Sequence, residues 1–304
     1  MDYKKSPSFG ETTMFKGSMV AIVTPMHEDG EIDKSALHDL IEWHIESKTN
    51  GIIVAGSTGE SATLEPDEKL ELISFAVKQA AGRIPVIAGT GTNSTRTTLK
   101  LTENAKRAGA NACLIVTPYY NKPTQNGLYQ HYKTVAETID LPIILYNVPS
   151  RTACDLLPET VERLAQIKNI IGIKEATGKT ERAEEIAQRC GQDFAIYSGD
   201  DATALDLMLH GAQGVISVTA NIAPYKMHEM CQAVLSGQQT LAEKINNELM
   251  LLHKRLFIES NPIPTKWALN RMGKIKTGIR MPLLPLDKKY YEEVKEAMQN
   301  AGVK

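Results

Sequence analysis

The stretch Ile170-Ile171-Gly172-Ile173-Lys174-Glu175-Ala176 is a short, nearly continuous apolar run that is rich in β-branched residues. Such a run is typical of a strand that is buried on both faces, as the strands of parallel sheets are. Similar runs occur at residues 18–24, 51–56, 85–89, 112–117, 142–147, 194–198 and 214–218. The sequence therefore predicts eight strands of the parallel kind, with the sixth at residues 170–175.

Segments with helical periodicity separate most of these runs, at residues 34–46, 67–81, 99–107, 128–138, 159–167 and 181–189. Eight parallel strands that alternate with helices predict an α/β fold of the (β/α)₈ type, the TIM barrel. An open, doubly wound sheet is the alternative. It ranks second because Val23-Thr24-Pro25-Met26 stands where that fold would carry a Gly-rich dinucleotide turn.

The chain beyond the eighth strand is predicted to be helical, with helices at residues 224–235, 241–257, 263–271 and 288–301. A Pro-rich stretch at 281–286 separates the last helix from the others. We expect a disordered tail at 1–13, a catalytic barrel at 14–237 and a C-terminal helical domain at 238–304.

Composition narrows the classes of partner. The formal net charge of -2 and the pI near 6.4 leave no basic excess to neutralise phosphates, so nucleic acid is not expected as a partner. The sequence contains no apolar stretch long enough to span a bilayer, and its polar start lacks the apolar core of a signal peptide. We therefore expect a cytoplasmic protein without a membrane partner.

The cysteines and histidines are dispersed. The four cysteines form no pair or cluster with zinc-ligand spacing, and we expect them to be reduced, buried and inert: Cys113, Cys154, Cys190 and Cys231. The seven histidines form no cluster either. Metal-dependent catalysis is therefore disfavoured.

Lys174 is the sharpest chemical feature, because a lysine near the end of a buried strand is unusual. Side chains alternate along a strand, so Ile171 and Ile173 are expected to face the helices while Lys174 points into the barrel between Gly172 and Ala176. A desolvated lysine amine is nucleophilic and can form a Schiff base with a carbonyl. The structural alternative is a lysine that reaches solvent from the strand end or pairs with a carboxylate.

Polar segments follow several other strands, where the active sites of such barrels are built. The segment Gly56-Ser57-Thr58-Gly59-Glu60-Ser61 could present backbone N–H groups and hydroxyls to a carboxylate, or it could simply cap the next helix. Thr117 to Pro123 and Tyr146 to Thr152 place tyrosines at strand ends, and the second segment adds Arg151. These residues could move protons and bind a carboxylate, or pack at the rim.

Two acidic residues follow the seventh strand. Asp200 and Asp201 could form a general-base pair or ligate a metal, but the helical pattern from Thr203 onward favours a helix cap.

Taken in order, five motifs at strand ends resemble the pyruvate-dependent class I aldolase superfamily, and within it the dihydrodipicolinate synthase family most closely. The motifs are Gly56-Ser57-Thr58-Gly59-Glu60, Tyr119-Tyr120, Tyr146 to Thr152, Gly172-Ile173-Lys174-Glu175 and Gly214-Val215-Ile216-Ser217. The resemblance runs from about Phe15 to the C-terminus.

The resemblance implies that Lys174 forms an imine with pyruvate, and that the derived enamine attacks aspartate semialdehyde. It further implies a proton relay through Ser57, Tyr146 and Tyr120, with Tyr120 entering the site of a neighbouring subunit. The substrate-binding residues that it implies are Thr58, Arg151, Gly199 and the carbonyl of Ile216. It also implies a homotetramer, built as a dimer of dimers, that needs no metal or organic cofactor.

Position 57 is a serine where the synthases more usually carry threonine, but the hydroxyl of the relay is kept. Related sialic acid lyases also carry serine at this position. Those lyases lack the arginine that is Arg151 here, and Arg151 together with Tyr119-Tyr120 favours a synthase.

An allosteric lysine site is the least well matched part of the resemblance. Its possible members are Asn93, Tyr119, Ser61 and Ala62. Thr97 stands where feedback-sensitive members carry glutamate, and Pro66 and Lys69 replace histidines. We therefore expect weak or absent inhibition by lysine.

Two other functions stay open on the sequence. Another pyruvate-releasing aldolase, such as a sialic acid lyase or a 2-keto-3-deoxy acid aldolase, would share Lys174 and the 56–60 loop. A barrel that binds a keto acid without catalysis is possible as well, since a fold does not fix a function.

Overall fold

Strand formation follows the apolar runs of the sequence. The computed structural model describes residues 15–303 and contains all eight predicted strands, with ends that differ by three residues or fewer. They are β1 (Gly17–Ala21), β2 (Gly51–Val54), β3 (Val86–Gly89), β4 (Ala112–Val116), β5 (Ile143–Asn147), β6 (Ile170–Glu175), β7 (Ala195–Ser198) and β8 (Gly214–Ser217).

The strands form one closed barrel in sequence order. Each strand is parallel to the next, and β8 closes the ring by pairing with β1 from Gly17↔Gly214 to Val20↔Ser217. The (β/α)₈ prediction is therefore confirmed, and the open sheet is excluded. All carboxyl ends of the strands lie on one face of the barrel, where a site can form.

Helices fill the intervals between the strands and continue beyond β8. They are α1 (Lys34–Glu46), α2 (Pro66–Ala80), α3 (Thr95–Arg107), α4 (Gln125–Thr138), α5 (Pro149–Thr152), α6 (Pro158–Ala165), α7 (Thr180–Cys190), α8 (Ala204–Leu209), α9 (Pro224–Leu235), α10 (Gln239–Arg255), α11 (Ile263–Arg271) and α12 (Tyr291–Asn300). The sequence analysis found all of them except α5, a single turn that begins at Pro149. Proline suits this position because the first turn of a helix needs no backbone donor there.

Two separate apolar cores hold the barrel together. The outer core lies between strands and helices and includes Val20, Ile173 and Val215. The inner core fills the barrel itself and includes Ile53 and Tyr197.

Ile171 belongs to the inner core, so the expectation that it faces the helices was wrong. The register between β5 and β6 shifts after Ile143, which pairs with Ile170, since Ile144 pairs with Gly172. A bulge of this kind reverses the alternation of side chains on one side of it. Lys174 lies beyond the irregularity and keeps its predicted inward direction.

The C-terminal helices cover one side of the barrel. Helix α9 packs on β1 and on α10, and α10 packs on α12. The domain boundary between residues 237 and 238 stays a prediction, and the predicted tail at 1–13 lies outside the described residues. None of the helices described at residues 15–303 combines the length and the apolar character that a membrane crossing requires.

All four cysteines are free. Cys113, Cys154 and Cys231 are buried, but the prediction was wrong for Cys190, which is half-buried at the end of α7. Burial raises the pKa of the Cys113 thiol to about 12, so this group stays a thiol at neutral pH.

Candidate active site

A cavity of about 380 Å³ opens at the carboxyl ends of the strands. We call it the strand-end cavity. It is lined by Ala21, Ile53, Gly56, Ser57, Thr58, Leu114, Tyr146, Val148, Ser150, Arg151, Lys174, Ala176, Gly199, Asp200, Val218, Phe257, Ser260 and Asn261. The cavity thus brings together six of the predicted site residues, contributed by β5, β6 and the segments that follow β2, β5 and β7.

Lys174 lies at the inner wall of the strand-end cavity with only 4% of its surface exposed. Its strand pairs in register with β5, so that Lys174 stands opposite Tyr146. The Nζ atom lies 4.5 Å from the centroid of the Tyr146 ring. Among residues 15–303, no carboxylate oxygen lies within 4.0 Å of this Nζ atom.

The structural alternatives for Lys174 were a lysine that reaches solvent and a lysine that pairs with a carboxylate. Its burial excludes the first, and the absence of a carboxylate partner among residues 15–303 excludes the second. The amine is shielded from bulk water beside a cavity and next to a phenol, an environment typical of lysines that react as nucleophiles.

Gly199 provides the space that the lysine side chain occupies. A Cβ atom at this position would lie 2.9 Å from Cε of Lys174 and 2.6 Å from Cβ of Ala176. Real Cβ contacts are longer than this, so any larger residue at 199 would displace the amine. Gly172 allows β6 to lie close to β7, because a Cβ there would lie 2.4 Å from the carbonyl oxygen of Ala195 on β7.

The 56–60 loop brings two hydroxyls to the strand-end cavity, those of Ser57 and Thr58. The loop is fixed from behind by Glu60, whose buried carboxylate pairs with Lys266 and accepts the Arg280 N–H at 3.0 Å. Glu60 itself has a left-handed backbone, with φ of 57°. The alternative interpretation of this segment as a helix cap is therefore wrong, since Glu65 caps α2 and two side chains of the segment line the cavity.

Arg151 stands at the exposed rim of the strand-end cavity, on α5. Its Nη2 atom donates to the backbone carbonyl of Asn261 at 3.2 Å. The side chain of Asn261 in turn donates from Nδ2 to the Thr58 hydroxyl at 3.0 Å. Asn261 therefore links the guanidinium at the rim to the hydroxyl deeper in the cavity.

Sequence reasoning missed the contribution of the C-terminal helices. Phe257, Ser260 and Asn261 lie in the turn between α10 and α11 and close one side of the strand-end cavity. A turn before Pro262 is an ordinary connection between helices, and it follows no strand. The sequence therefore carries no signal that this turn reaches the carboxyl ends of the barrel.

Two of the predicted catalytic and substrate-binding residues lie outside the strand-end cavity. Tyr120 is 88% exposed and has a left-handed backbone, with φ of 74°. Ile216 is buried in the inner core with Tyr146. The participation of both residues stays a prediction.

The possible allosteric residues all lie outside the lining of the strand-end cavity. The carbonyl of Asn93 accepts a hydrogen bond from Asn121 Nδ2 at 2.8 Å, and Tyr119 is 38% exposed. Ser61 is half-buried and Ala62 is exposed, and neither lines the strand-end cavity. Their allosteric role stays a prediction too.

The two aspartates after β7 have different tasks. Asp200 caps the next turn as predicted, since its carboxylate accepts from the backbone N and the hydroxyl of Thr203 at 3.1 and 2.8 Å. The prediction was wrong for Asp201, whose buried carboxylate accepts the N–H groups of Val218 and Thr219 at 2.9 and 2.8 Å. Asp201 thereby fixes the chain just after β8.

Burial perturbs ionisable groups behind the strand-end cavity. It lowers the pKa of His253, whose Nδ1 atom lies 2.8 Å from the Thr219 hydroxyl. It raises the pKa of the Glu175 carboxyl, an effect that hydrogen bonds from Asn147 and Thr177 oppose. Both groups are behind the cavity wall and not on its surface.

A second cavity of about 340 Å³ lies in the C-terminal region, between α11 and α12. It contains none of the predicted site residues. In the part of the chain that the structure describes, no three His, Cys, Asp or Glu side chains are grouped as a metal site. Independence of metals and cofactors stays a prediction.

A closed (β/α)₈ barrel with a buried strand-end lysine against a tyrosine ring defines the class of lysine-dependent, aldolase-type barrels. The comparisons with known proteins are more specific. The sequence model of the Dihydrodipicolinate synthetase family matches residues 14–301. The chain belongs to this family and is an enzyme of it.

Named relatives agree with this assignment. The chain is 59% identical to the 4-hydroxy-tetrahydrodipicolinate synthase of Methylococcus capsulatus over 95% of this chain and 100% of that one. It is 57% identical to the enzyme of the same name from Pseudomonas aeruginosa, over 95% and 99% of the two chains.

Solved structures of similar proteins superpose closely on this chain. Dihydrodipicolinate synthase from Acinetobacter baumannii, described as chloride inhibited and complexed with pyruvate, superposes with a TM-score of 0.95 at 53% identity, over 96% of this chain and 100% of that one. The enzyme from Aquifex aeolicus superposes with a TM-score of 0.93 at 46% identity, over 95% and 99%.

Proposed function

We propose that the chain condenses pyruvate with L-aspartate-4-semialdehyde, the step that leads into the diaminopimelate route to lysine. The observation that carries this proposal is the buried Lys174 amine, which faces Tyr146 in a cavity that also holds two hydroxyls and a guanidinium. The family membership supports the same reaction.

Lys174 is the covalent catalyst in this proposal. Its amine attacks the keto carbon of pyruvate, and loss of water leaves an imine. Loss of a proton from the methyl carbon gives an enamine, whose carbon attacks the aldehyde carbon of the second substrate. The amino group of that substrate then attacks the imine carbon, closes the ring and releases the Lys174 amine.

The other residues of the strand-end cavity bind the substrates and move protons. Ser57 and Thr58 contact the pyruvate carboxylate, which therefore lies at the 56–60 loop. Arg151 binds the carboxylate of the aldehyde substrate at the rim, where a guanidinium can form two parallel hydrogen bonds. Tyr146 exchanges protons with the intermediates because its ring adjoins the amine.

Tyr120 completes the relay of a neighbouring subunit, and the chain works as a homotetramer made of two tight dimers. The exposure of Tyr120 supports this part of the proposal, since a tyrosine that is 88% exposed in one chain is free to enter another. The cytoplasm is the proposed compartment, and the four free cysteines agree with a reducing environment.

Borohydride trapping tests the proposal. Wild-type protein incubated with pyruvate and then reduced should carry a stable adduct on Lys174, located by peptide mass spectrometry. Lys174→Ala should carry none and should lose activity by at least about 10⁴-fold in a coupled assay with both substrates. Lys179→Ala, which removes an exposed lysine just after β6, is the matched control and should behave like wild type.

Three outcomes would redirect the assignment. An adduct without turnover of aspartate semialdehyde, but with cleavage of N-acetylneuraminate or a 2-keto-3-deoxy acid, would assign the chain to another aldolase. Pyruvate binding without an adduct would favour a keto-acid-binding barrel. Adduct formation on a different lysine would overturn the role of Lys174.

A further inference from the structure

Two buried polar side chains lie directly behind the pair of residues that meet in the strand-end cavity. Asn147 follows Tyr146 at the end of β5, and Glu175 follows Lys174 at the end of β6. The two are partners in the β5–β6 register, and 0% and 1% of their surfaces are exposed. Because side chains alternate along a strand, they point away from the cavity.

Asn147 and Glu175 are hydrogen bonded to each other and to the loops behind them. Asn147 donates from Nδ2 to Glu175 Oε2 at 3.1 Å and to Asp155 Oδ1 at 2.9 Å, and its Oδ1 accepts the Leu156 N–H at 3.0 Å. Glu175 Oε1 accepts the Thr177 N–H at 2.8 Å. This arrangement uses both ends of the Asn147 amide, so it admits little rotation.

Arg182, on α7, contacts both Asp155 and Glu175. We call the group formed by Asn147, Asp155, Glu175 and Arg182 the network. The Arg182 guanidinium donates twice to Asp155, at 2.9 and 3.1 Å, and its Nε atom lies 3.4 Å from Glu175 Oε2. The guanidinium is mostly buried, with 14% of the side chain exposed. A buried carboxylate requires a cation or hydrogen-bond donors, and here Glu175 has both.

The network joins the ends of β5 and β6, the strands that carry Tyr146 and Lys174. The Ala176 N–H donates to the Asn147 carbonyl at 3.0 Å, so main-chain and side-chain bonds join the same two strand ends. A change in the separation of these ends would move the amine relative to the tyrosine ring, which are 4.5 Å apart.

We propose that Glu175 is a positioning residue that, through Asn147, holds Lys174 against Tyr146 in the geometry needed to form the imine. The inference rests on the proposed function, because it concerns the rate of that step. Glu175 touches no substrate and transfers no proton in this scheme. Its contribution is the fixed distance between β5 and β6.

The test is the rate of imine formation in the full-length protein, measured by quenching with borohydride at increasing times after pyruvate is added. Glu175→Ala should slow this rate by about 10²-fold, since a displacement of about 1 Å has an effect of this size. Glu175→Gln keeps the volume but presents an NH₂ group either to Asn147 and Arg182 or to the Thr177 N–H, and it should slow the rate by a smaller factor. The pH profile of the rate should keep its shape in both variants, as expected for a residue that does not exchange protons.

Ile173→Val is the matched control for a loss of fold stability. Ile173 lies two residues before Glu175 on the same strand and is fully buried in the outer core, so the variant weakens β6 packing without touching the network. Its rate should stay within about twofold of wild type.

The outcomes separate the inference from the function on which it rests. Unchanged rates in folded Glu175→Gln, with normal adduct formation in wild type, would overturn the positioning role alone. An equal slowing by Ile173→Val would overturn it too, because the effect would then be one of stability. Absence of an adduct in wild type would defeat both proposals. If Glu175→Ala does not fold, Glu175→Gln decides.

Discussion

Tyr146 and Tyr120 are assigned to one proton relay, but the molecule holds them in opposite ways. Tyr146 is the penultimate residue of β5, has 6% of its surface exposed and adjoins the Lys174 amine. Tyr120 follows β4, has 88% of its surface exposed and adopts a left-handed backbone. The inner half of the site, with Lys174 and Tyr146, is therefore assembled by one chain, whereas the outer half, with Tyr120, depends in our proposal on a second copy.

This difference has a physical origin. The inner half consists of strand residues whose directions are set by backbone hydrogen bonds to both neighbouring strands, so sequence position determines where they point. Tyr120 lies in a loop, and its own backbone makes one hydrogen bond, from its N–H to the Thr152 carbonyl at 3.4 Å. An exposed aromatic residue with so few contacts is available for an interface.

Of the two tyrosines, Tyr146 should show the larger effect when its hydroxyl is removed. Tyr146→Phe keeps the ring against Lys174 but removes the proton donor, and kcat should fall by about 10²- to 10⁴-fold. Tyr197→Phe is the matched control, since it removes another buried phenol of the inner core whose hydroxyl donates to the Phe15 carbonyl. Steady-state kinetics with both substrates measures the contrast. Equal activities of the two variants would contradict the role of Tyr146.

The inner half should tolerate no added atom beside the amine. Gly199→Ala places a Cβ within 2.9 Å of Lys174 Cε and should slow pyruvate adduct formation by about 10²-fold. The double variant with Ala176→Gly removes one of the two close contacts and should recover part of the rate. A single variant that forms the adduct as fast as wild type would show that the side chain can move aside at no cost.

A smaller effect, but one that subunit mixing can rescue, is expected for the outer half. Tyr120→Phe should reduce activity by roughly tenfold or more while changing stability by less than about 0.5 kcal/mol, because the side chain is exposed. Co-expression with inactive Lys174→Ala should restore activity, since each mixed dimer contains one site with an intact lysine and an intact Tyr120. Mixed dimers that are no more active than Tyr120→Phe alone would refute the contribution of Tyr120 from a neighbouring chain.

Sequence could predict the inner half of the site because it depends on strand position. Lys174, Tyr146 and the 56–60 loop all meet in one cavity, as their strand-end positions imply. Ile171 was assigned to the wrong face because the irregularity between β5 and β6 leaves no mark in an apolar run. Phe257, Ser260 and Asn261 could not be predicted, because their approach to the barrel depends on how α10 and α11 pack.

The smallest effect on activity is expected from L-lysine. Thr97 is exposed on α3, at the position where the family resemblance predicts glutamate in feedback-sensitive members, and its hydroxyl donates to the Ser94 hydroxyl at 3.2 Å. The neighbouring Arg96 is exposed as well and adds a positive charge beside it.

Loss of a charge-assisted contact weakens binding by roughly 10- to 100-fold, so L-lysine should inhibit weakly or not at all. Thr97→Glu should restore sensitivity, whereas Arg96→Gln, which removes the neighbouring cation without supplying an acid, should change it less. Inhibition curves of the three proteins measure this order, and strong inhibition of the unmodified chain by micromolar L-lysine would contradict it. Because the substituted position lies outside the strand-end cavity, uninhibited rates should be equal in all three.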